Sequence, residues 1–180
     1  MRVKSERYKT GERALTRTEY NKMLAVIDNV EDELMLKLAV STGIRREDFF
    51  NIKIADIDLD QMKLTFYEAK KKRSRTVDLE TDVVLLIRKH LKTFAKREKL
   101  FSFTGRSGWN HFNHWCDIAE IPRRPFHAIR GTTAKFCQAA GWPIEKTAKL
   151  LGDTIEVVQE HYNTPSADEM AEMAKEKPIA

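Results

Sequence analysis

The stretch that decides the fold is KLLGDTIEVVQEHYNTPS, residues 149–166. It contains two short amphipathic helical segments that are separated at Gly152, and glycine often follows the C-terminus of a helix. Tyr162 follows a polar run and precedes Pro165, which a helix cannot include in its interior. The pattern therefore predicts a tyrosine at the frayed end of a polar helix, outside the core.

The composition is typical of a basic globular protein. The chain has 180 residues, enough for one ordinary domain, and 42% of them are hydrophobic and 33% charged. A formal net charge of +5 favours an anionic partner, nucleic acid first. No stretch approaches the ~20 apolar residues of a membrane span. Cys116 and Cys137 are too few for a disulfide framework, so we expect reduced thiols in a cytoplasmic protein.

Hydrophobic periodicity predicts a mainly α fold with a small antiparallel β-sheet, an α+β architecture. Helices are predicted at residues 16–27, 33–41, 46–52, 81–95, 109–119, 126–140 and 144–151, and strands at residues 54–59, 63–67 and 76–79. We expect a basic lead-in over residues 1–15, one domain over residues 16–166, and a C-terminal tail helix over residues 167–180. The tail is either mobile or docked on another protomer.

Two segments in the first half of the chain carry cations suited to phosphate. Within residues 41–58, Gly43 ends a helix and Arg45 begins the next one, a position that favours an anion. Farther along, five of the six residues 70–75 are basic and join two predicted strands. A hairpin tip of that charge can reach the backbone or a groove of DNA.

Two segments in the second half carry groups suited to acid–base and nucleophilic chemistry. His127 and Arg130 lie three positions apart, so we expect both on one side of a helix. Asp153 and Tyr162 belong to the opening stretch, and the tyrosine follows the aspartate by nine positions. A phenol is a possible nucleophile, but with a pKa of ~10 it needs a base or a cationic site to react at neutral pH.

Together, the four segments resemble the catalytic domain of the tyrosine recombinases, also called phage integrases. In order, the family motifs are T-G-x-R at residues 42–45, the hairpin lysine at Lys70, H-x-x-R at residues 127–130, L-G-H at residues 151–153 and the final tyrosine at Tyr162. Each motif alone is weak, but four in the family's order are specific. The resemblance covers residues 16–166, and it departs from the family at Asp153, where a histidine is usual.

This resemblance implies an enzyme that cuts and rejoins double-stranded DNA through a 3′-phosphotyrosyl intermediate, without metal, cofactor or ATP. It makes Arg45 and Arg130 the clamp on the phosphate, where two guanidinium groups neutralise charge in the transition state. It makes Tyr162 the nucleophile, His127 the base or proton-holding group and Lys70 the proton donor to the leaving oxygen. It also implies that the substrate is nucleoid or host DNA. The other hairpin cations are expected to bind DNA: Lys71, Lys72, Arg73 and Arg75.

Some assignments within this scheme stay open. Lys71 and Lys72 are close alternatives to Lys70 as the acid. An ionised Asp153 can only accept hydrogen bonds and would repel a phosphate. Either Asp153 orients His127 or a clamp arginine, or it slows or silences catalysis.

Each residue also has an ordinary structural interpretation. Arg45 could pair with a neighbouring carboxylate on the surface, His127 could be a partly buried histidine, and Tyr162 could be a packing residue. His111, His114 and Cys116 suggest zinc but lack a fourth ligand at a usual spacing, so no metal site is predicted.

The functional alternatives are a DNA-binding module of the same fold that is catalytically weak or inactive, and a type IB topoisomerase-like enzyme. The family's preceding DNA-clamping domain is not recognisable in these 180 residues, so we expect a catalytic fragment or a short member. Family members pass a C-terminal helix to the next protomer. An apolar stripe formed by Ala167, Met170, Ala171 and Ala174 predicts self-association on DNA through the tail.

Overall fold

The computed structural model describes residues 13–94, 96–162, 165 and 167–180, without the side chains of residues 167 and 168. The helices are α1 (Arg17–Val26), α2 (Val30–Thr42), α3 (Arg46–Phe49), α4 (Thr81–Phe94), α5 (Gly105–Ile118), α6 (Ala128–Ala139), α7 (Ile144–Leu151), α8 (Ile155–His161) and α9 (Ala167–Glu176). The strands are β1 (Ile57–Asp58), β2 (Lys63–Glu68) and β3 (Arg73–Asp78). The predicted α+β architecture is confirmed.

Capping residues explain where several helices begin. Thr16 and Glu19 form the predicted capping box of α1. Helix α2 begins three residues before the predicted start because Asn29 Oδ1 accepts the Asp32 backbone N–H at 2.9 Å. Helix α5 begins four residues early because Thr104 and Ser107 form a second capping box. The periodicity alone did not reveal these polar starts.

The sheet is a small antiparallel meander in the order β1–β2–β3. Of the predicted first strand only Ile57–Asp58 pairs, because residues 54–56 form a turn of 3-10 helix. Strand β3 starts three residues before the predicted position, and Glu68 pairs with Arg73 at the hairpin end. The predicted basic loop is therefore a tight turn of residues 69–72, with Arg73 and Arg75 inside a strand.

A main core and a small satellite core hold the fold together. Helix α2 lies at the centre of the main core, where Leu34, Leu38 and Ala39 are fully buried and the helix contacts α4, α5 and α6. The satellite core joins α6, α7 and α8 and consists of Ala134, Ala148, Leu151, Val158 and Tyr162. Among the described residues, no helix has the length and apolar character needed to cross a membrane.

The two ends of the chain differ in how far they pack. Most of the predicted lead-in, residues 1–12, lies outside the described residues. Leu15 is 2% exposed and its N–H donates to Thr132 Oγ1 at 2.8 Å, so the packed domain begins no later than this residue. In the tail, Met170 and Met173 are more than half exposed, and Lys135 Nζ donates to Glu169 at 2.9 Å.

Gly43 lets α2 turn directly into the loop that carries Arg45. Its φ of 60° is left-handed, and a Cβ there would lie 2.4 Å from the Leu151 side chain. We expect Gly43→Ala to lower the free energy of unfolding by roughly 2–4 kcal/mol, since backbone strain and a core clash add. Urea unfolding measures it.

Gly141→Ala is the matched control for that substitution. Gly141 also has positive φ, 79°, but a Cβ there meets nothing within 4 Å. Gly141→Ala should therefore lower the free energy of unfolding through backbone strain alone, by about 1–2 kcal/mol. Equal losses for the two variants would show that the contact between Gly43 and Leu151 contributes nothing.

Candidate active site

Arg45 stands at the N-cap of α3, immediately after the turn made by Gly43 and Ile44. Its Nη1 donates to Glu68 Oε1 at 3.2 Å, and its Nη2 donates to Asp153 Oδ1 at 2.9 Å. The side chain is 18% exposed. Arg45 therefore reaches two carboxylates that are 23 and 108 positions away in sequence, and it joins the hairpin to the L-G-D loop of residues 151–153.

Arg130 lies in the first turn of α6 and is 2% exposed. Its Nη1 donates to the Gly43 carbonyl at 2.6 Å, and its Nη2 donates to Asp153 and to the Leu151 carbonyl. Its Nε donates to the Tyr162 hydroxyl at 3.1 Å. One guanidinium group thus contacts the T-G-x-R loop, the L-G-D loop and the final tyrosine.

Tyr162 is buried, so the prediction of an exposed tyrosine is wrong. It follows α8 as the C-cap residue, and its side chain is 5% exposed. Val158 lies one helical turn before it and is fully buried, so both residues face the satellite core. The four-residue spacing of Val158 and Tyr162 was the sequence signal that the polar run between them obscured.

Asp153 links the two arginines to each other. Its side chain is 8% exposed and accepts hydrogen bonds from Arg45, Arg130 and Lys71, the last at 3.1 Å. Burial alone would raise the pKa of Asp153, but the hydrogen bond and charge of Arg130, together with Lys71 and Arg45, lower it to about 2. Asp153 is therefore a fixed anion at neutral pH.

His127 is the N-cap residue of α6 and its backbone is already helical, with φ −60° and ψ −21°; Arg130 follows three residues later in the first turn. Its ring centroid lies 6.4 Å from that of Tyr162. The pKa of His127 is below its ordinary value, first because neighbouring protein atoms desolvate the ring and then because Arg130 and Arg45 disfavour a further positive charge. A neutral imidazole at this position can accept a proton.

The hairpin turn carries three lysines. Lys70 is exposed, and its charge is one of those that lower the pKa of His127. Lys71 Nζ donates to the Gly152 carbonyl and to Asp153. Lys72 is exposed at the tip of the turn with a φ of 49°. All three lysines are thus exposed, and Lys71 also contacts the L-G-D loop.

The two arginines of β3 contact other groups of the protein, and Arg73 is also open to solvent. Arg73 is half exposed and donates to Glu68 at 2.9 Å and to the Gly152 carbonyl at 3.2 Å. Arg75 is 11% exposed, donates to the Leu150 carbonyl and lies 3.2 Å from Glu68. Arg75 therefore acts first as a link between β3 and the end of α7, and DNA contact by this residue stays a prediction.

Two buried carboxylates in this region were missed by the sequence reasoning. Glu68 is 1% exposed and contacts Arg45, Arg73 and Arg75. Asp48 is 6% exposed and accepts the Ala69 backbone N–H at 3.1 Å, next to Lys70. Glu68 could have been found from the alternation of β2, which turns Leu64, Phe66 and Glu68 to the same buried side.

The histidine and cysteine pattern of α5 is divided between surface and core, because His111 and His114 are exposed whereas Cys116 is fully buried. His111 Nδ1 and Trp115 Nε1 both bond the Asp32 carboxylate at 2.9 Å. Burial raises the pKa of the Cys116 thiol to about 11, which disfavours a metal-binding thiolate. In the described part of the chain, no three His, Cys, Asp or Glu side chains come together in a group that could hold a metal ion.

Comparison with known proteins shows the family of this chain. Residues 13–169 match the phage integrase family. The chain belongs to the phage integrase family. The curated relatives of this family member include the tyrosine recombinase XerA of Saccharolobus solfataricus, 26% identical over 140 residues, which are 78% of this chain and 48% of the relative. XerA of Pyrococcus furiosus is 24% identical over 176 residues, covering 91% of this chain and 61% of the relative.

The fold of this family member matches solved structures across nearly its whole length. The crystal structure of XerA recombinase superposes with a TM-score of 0.80 at 19% identity, covering 93% of this chain and 64% of the other. XerH site-specific recombinase bound to palindromic difH substrate gives 0.74 at 20% identity, covering 91% and 52%. The catalytic domain of bacteriophage HP1 integrase gives 0.67 at 24% identity, covering 92% and 95%. The chain therefore spans nearly all of the HP1 integrase domain and about half to two thirds of the longer relatives.

Proposed function

We propose that this chain is the catalytic part of a site-specific DNA recombinase or integrase that works on double-stranded DNA in the cytoplasm. The observation that carries the proposal is the convergence of Arg45, Arg130 and Tyr162, which lie far apart in sequence. Arg130 bonds the Tyr162 hydroxyl at 3.1 Å, and both arginines bond one carboxylate of Asp153. Two cations beside a phenol are what a phosphoryl transfer to tyrosine requires.

In the proposed reaction, the guanidinium groups of Arg45 and Arg130 bind the non-bridging oxygens of the scissile phosphate. The Tyr162 oxygen attacks phosphorus, the bond to the 5′-oxygen breaks, and a 3′-phosphotyrosyl link forms. His127 accepts the phenol proton, and Lys70 protonates the departing 5′-oxygen. A 5′-hydroxyl of another strand reverses these steps and rejoins the DNA. The link conserves the bond energy, so the scheme needs neither ATP nor a metal.

The cations that surround the site support a DNA partner. Lys70 and Lys72 at the exposed turn, with the half-exposed Arg73, are placed to contact the phosphates beside the cleavage site. Lys71 already bonds Asp153, so we assign it first to positioning within the site. Contact with DNA is its second proposed role. We further propose that α9 mediates self-association on DNA, because Met170 and Met173 leave apolar surface open on this helix.

A nicked DNA substrate tests the proposed function. Once the enzyme cuts next to the nick, the short fragment diffuses away and the protein stays covalently attached to DNA. We expect a protein–DNA band on a denaturing gel for the wild type and none for Tyr162→Phe, because the phenyl ring has no oxygen to attack. The band should persist in a chelator.

Tyr67→Phe is the matched control, because Tyr67 is 59% exposed on β2 and should leave the band unchanged. A band that survives Tyr162→Phe would assign the nucleophile elsewhere. Tight DNA binding by the wild type without any covalent band would instead support the alternative, a DNA-binding module that has lost its chemistry.

A further inference from the structure

We propose that Glu68 is a positioning residue that fixes Arg45 and the lysine-bearing turn in their working geometry. The proposal rests on the proposed function, and it assigns a role to a side chain that cannot itself contact the substrate. Glu68 is the last residue of β2 and its side chain is 1% exposed. Any effect of Glu68 on phosphate must therefore pass through the residues that it holds.

Three arginine side chains contact the Glu68 carboxylate. Oε1 accepts from Arg45 Nη1 at 3.2 Å and lies 3.2 Å from Arg75 Nε, while Oε2 accepts from Arg73 Nε at 2.9 Å. Three guanidinium groups this close would repel each other strongly in a buried setting. The carboxylate of Glu68 offsets that repulsion at the point where the three groups meet.

The charge of Glu68 is secured by the same contacts. Burial by itself would raise the pKa of Glu68, but the hydrogen bond from Arg73 and the charges of Arg75, Arg73 and Arg45 lower it below its ordinary value. Glu68 therefore stays ionised at neutral pH. A carboxylate is an acceptor only, so both of its oxygens are available to the arginines, whereas a glutamine amide would turn donors toward one of them.

Glu68 also joins the hairpin to the end of α7. A Cβ at Gly152 would lie 2.8 Å from Arg75 Nε and 3.1 Å from Glu68 Oε1, so the L-G-D loop packs directly on this pair. The Lys71 N–H donates to the Glu68 carbonyl at 3.2 Å, which closes the turn that contains Lys70. Glu68 thus contacts Arg45 through its side chain and the lysine-bearing turn through its backbone carbonyl.

The test compares Glu68→Gln with the wild type in single-turnover cleavage and in DNA binding. We expect the cleavage rate to fall by about 10²-fold, as for loss of one well-placed group in an electrostatic site. DNA affinity should change by less than about threefold, because Glu68 is buried and the exposed lysines are retained. Asp78→Asn at the far end of the same hairpin, where Asp78 is 85% exposed, is the control and should match the wild type.

The stability and the cleavage rate of a double variant separate positioning from a general loss of folding. Pairing Glu68→Gln with Arg75→Gln removes charge from both partners and should recover part of the stability. Cleavage should stay low, since Arg45 still lacks one of its two carboxylate partners. Recovery of cleavage to within about threefold of the wild type in the double variant would overturn the proposal, as would an unchanged rate in Glu68→Gln.

NMR of labelled arginine side chains tests the proposal without any cleavage. In the wild type we expect the Arg45 guanidinium to rotate slowly, and in Glu68→Gln to rotate faster because only its Asp153 partner keeps a carboxylate. Arg123, which is 69% exposed and pairs with Asp117, should be unchanged. Unchanged Arg45 signals would overturn the positioning role. If the wild type forms no covalent band but Arg45 still depends on Glu68, the proposed function fails and the positioning of Arg45 stands.

Discussion

Arg130→Lys is expected to lower single-turnover cleavage by about 10³-fold or more, although it keeps the positive charge. Arg130 is 2% exposed and uses its planar guanidinium to reach Gly43, Leu151, Asp153 and Tyr162 at once. A lysine carries one compact ammonium group and cannot satisfy partners on several sides. The tyrosine oxygen would lose its donor, and a bound phosphate would lose its contact with the guanidinium group.

The same substitution should lower the free energy of unfolding by roughly 2–4 kcal/mol, because buried carbonyl groups lose their donors. Urea unfolding and the nicked-substrate assay measure the two effects separately. Arg123→Lys is the control, since Arg123 is 69% exposed in an ion pair with Asp117. This substitution should change neither the free energy of unfolding nor the cleavage rate. Cleavage by Arg130→Lys within about tenfold of the wild type would contradict the clamp role.

Asp153→Asn is expected to lower cleavage by about 10²-fold and to destabilise the protein. Asp153 bonds Arg45 and Arg130 together, and an asparagine would turn an N–H group toward one of these cations. Asp153→His should also lose activity, because an imidazole cannot accept from both arginines. A rise in cleavage with histidine would show instead that the aspartate impairs this site.

The stability effect of Asp153 has a defined pH dependence. The folded pKa of about 2 lies below the ordinary value of 3.8, so the carboxylate stabilises the fold above about pH 4, by roughly 2 kcal/mol. That contribution is lost as the pH falls through the folded pKa. The stability difference between wild type and Asp153→Asn should therefore be constant near neutrality and shrink toward pH 2, as followed by urea unfolding at each pH.

The motif order allowed the family and the mainly helical fold to be predicted from sequence, because glycines and caps mark the ends of elements locally. Gly43 and Gly152 both adopt the left-handed conformation at a helix C-terminus. The side-chain arrangement was harder to predict, because it depends on contacts between distant segments. Nothing near Arg75 in sequence indicates that the Leu150 carbonyl is its partner.

Two parts of the site show why local patterns were insufficient. The polar run before Tyr162 suggested exposure, yet the tyrosine side chain is directed inward by its alignment with Val158. Glu68 was missed because a lone charge in a strand suggests a solvated face, whereas Arg45 and two arginines of the neighbouring strand β3 make its burial favourable. Burial of a charge can be recognised only when its partners are known.

The hydrogen bond between Arg130 and Tyr162 joins groups of a single polypeptide. If this pairing persists on DNA, each protomer brings a chemically complete centre and cleaves the half-site that it occupies itself. Neighbouring subunits would then govern when a cut occurs and which ends are exchanged, without lending a reactive group. The order of strand breakage in such an assembly would be a property of its quaternary geometry.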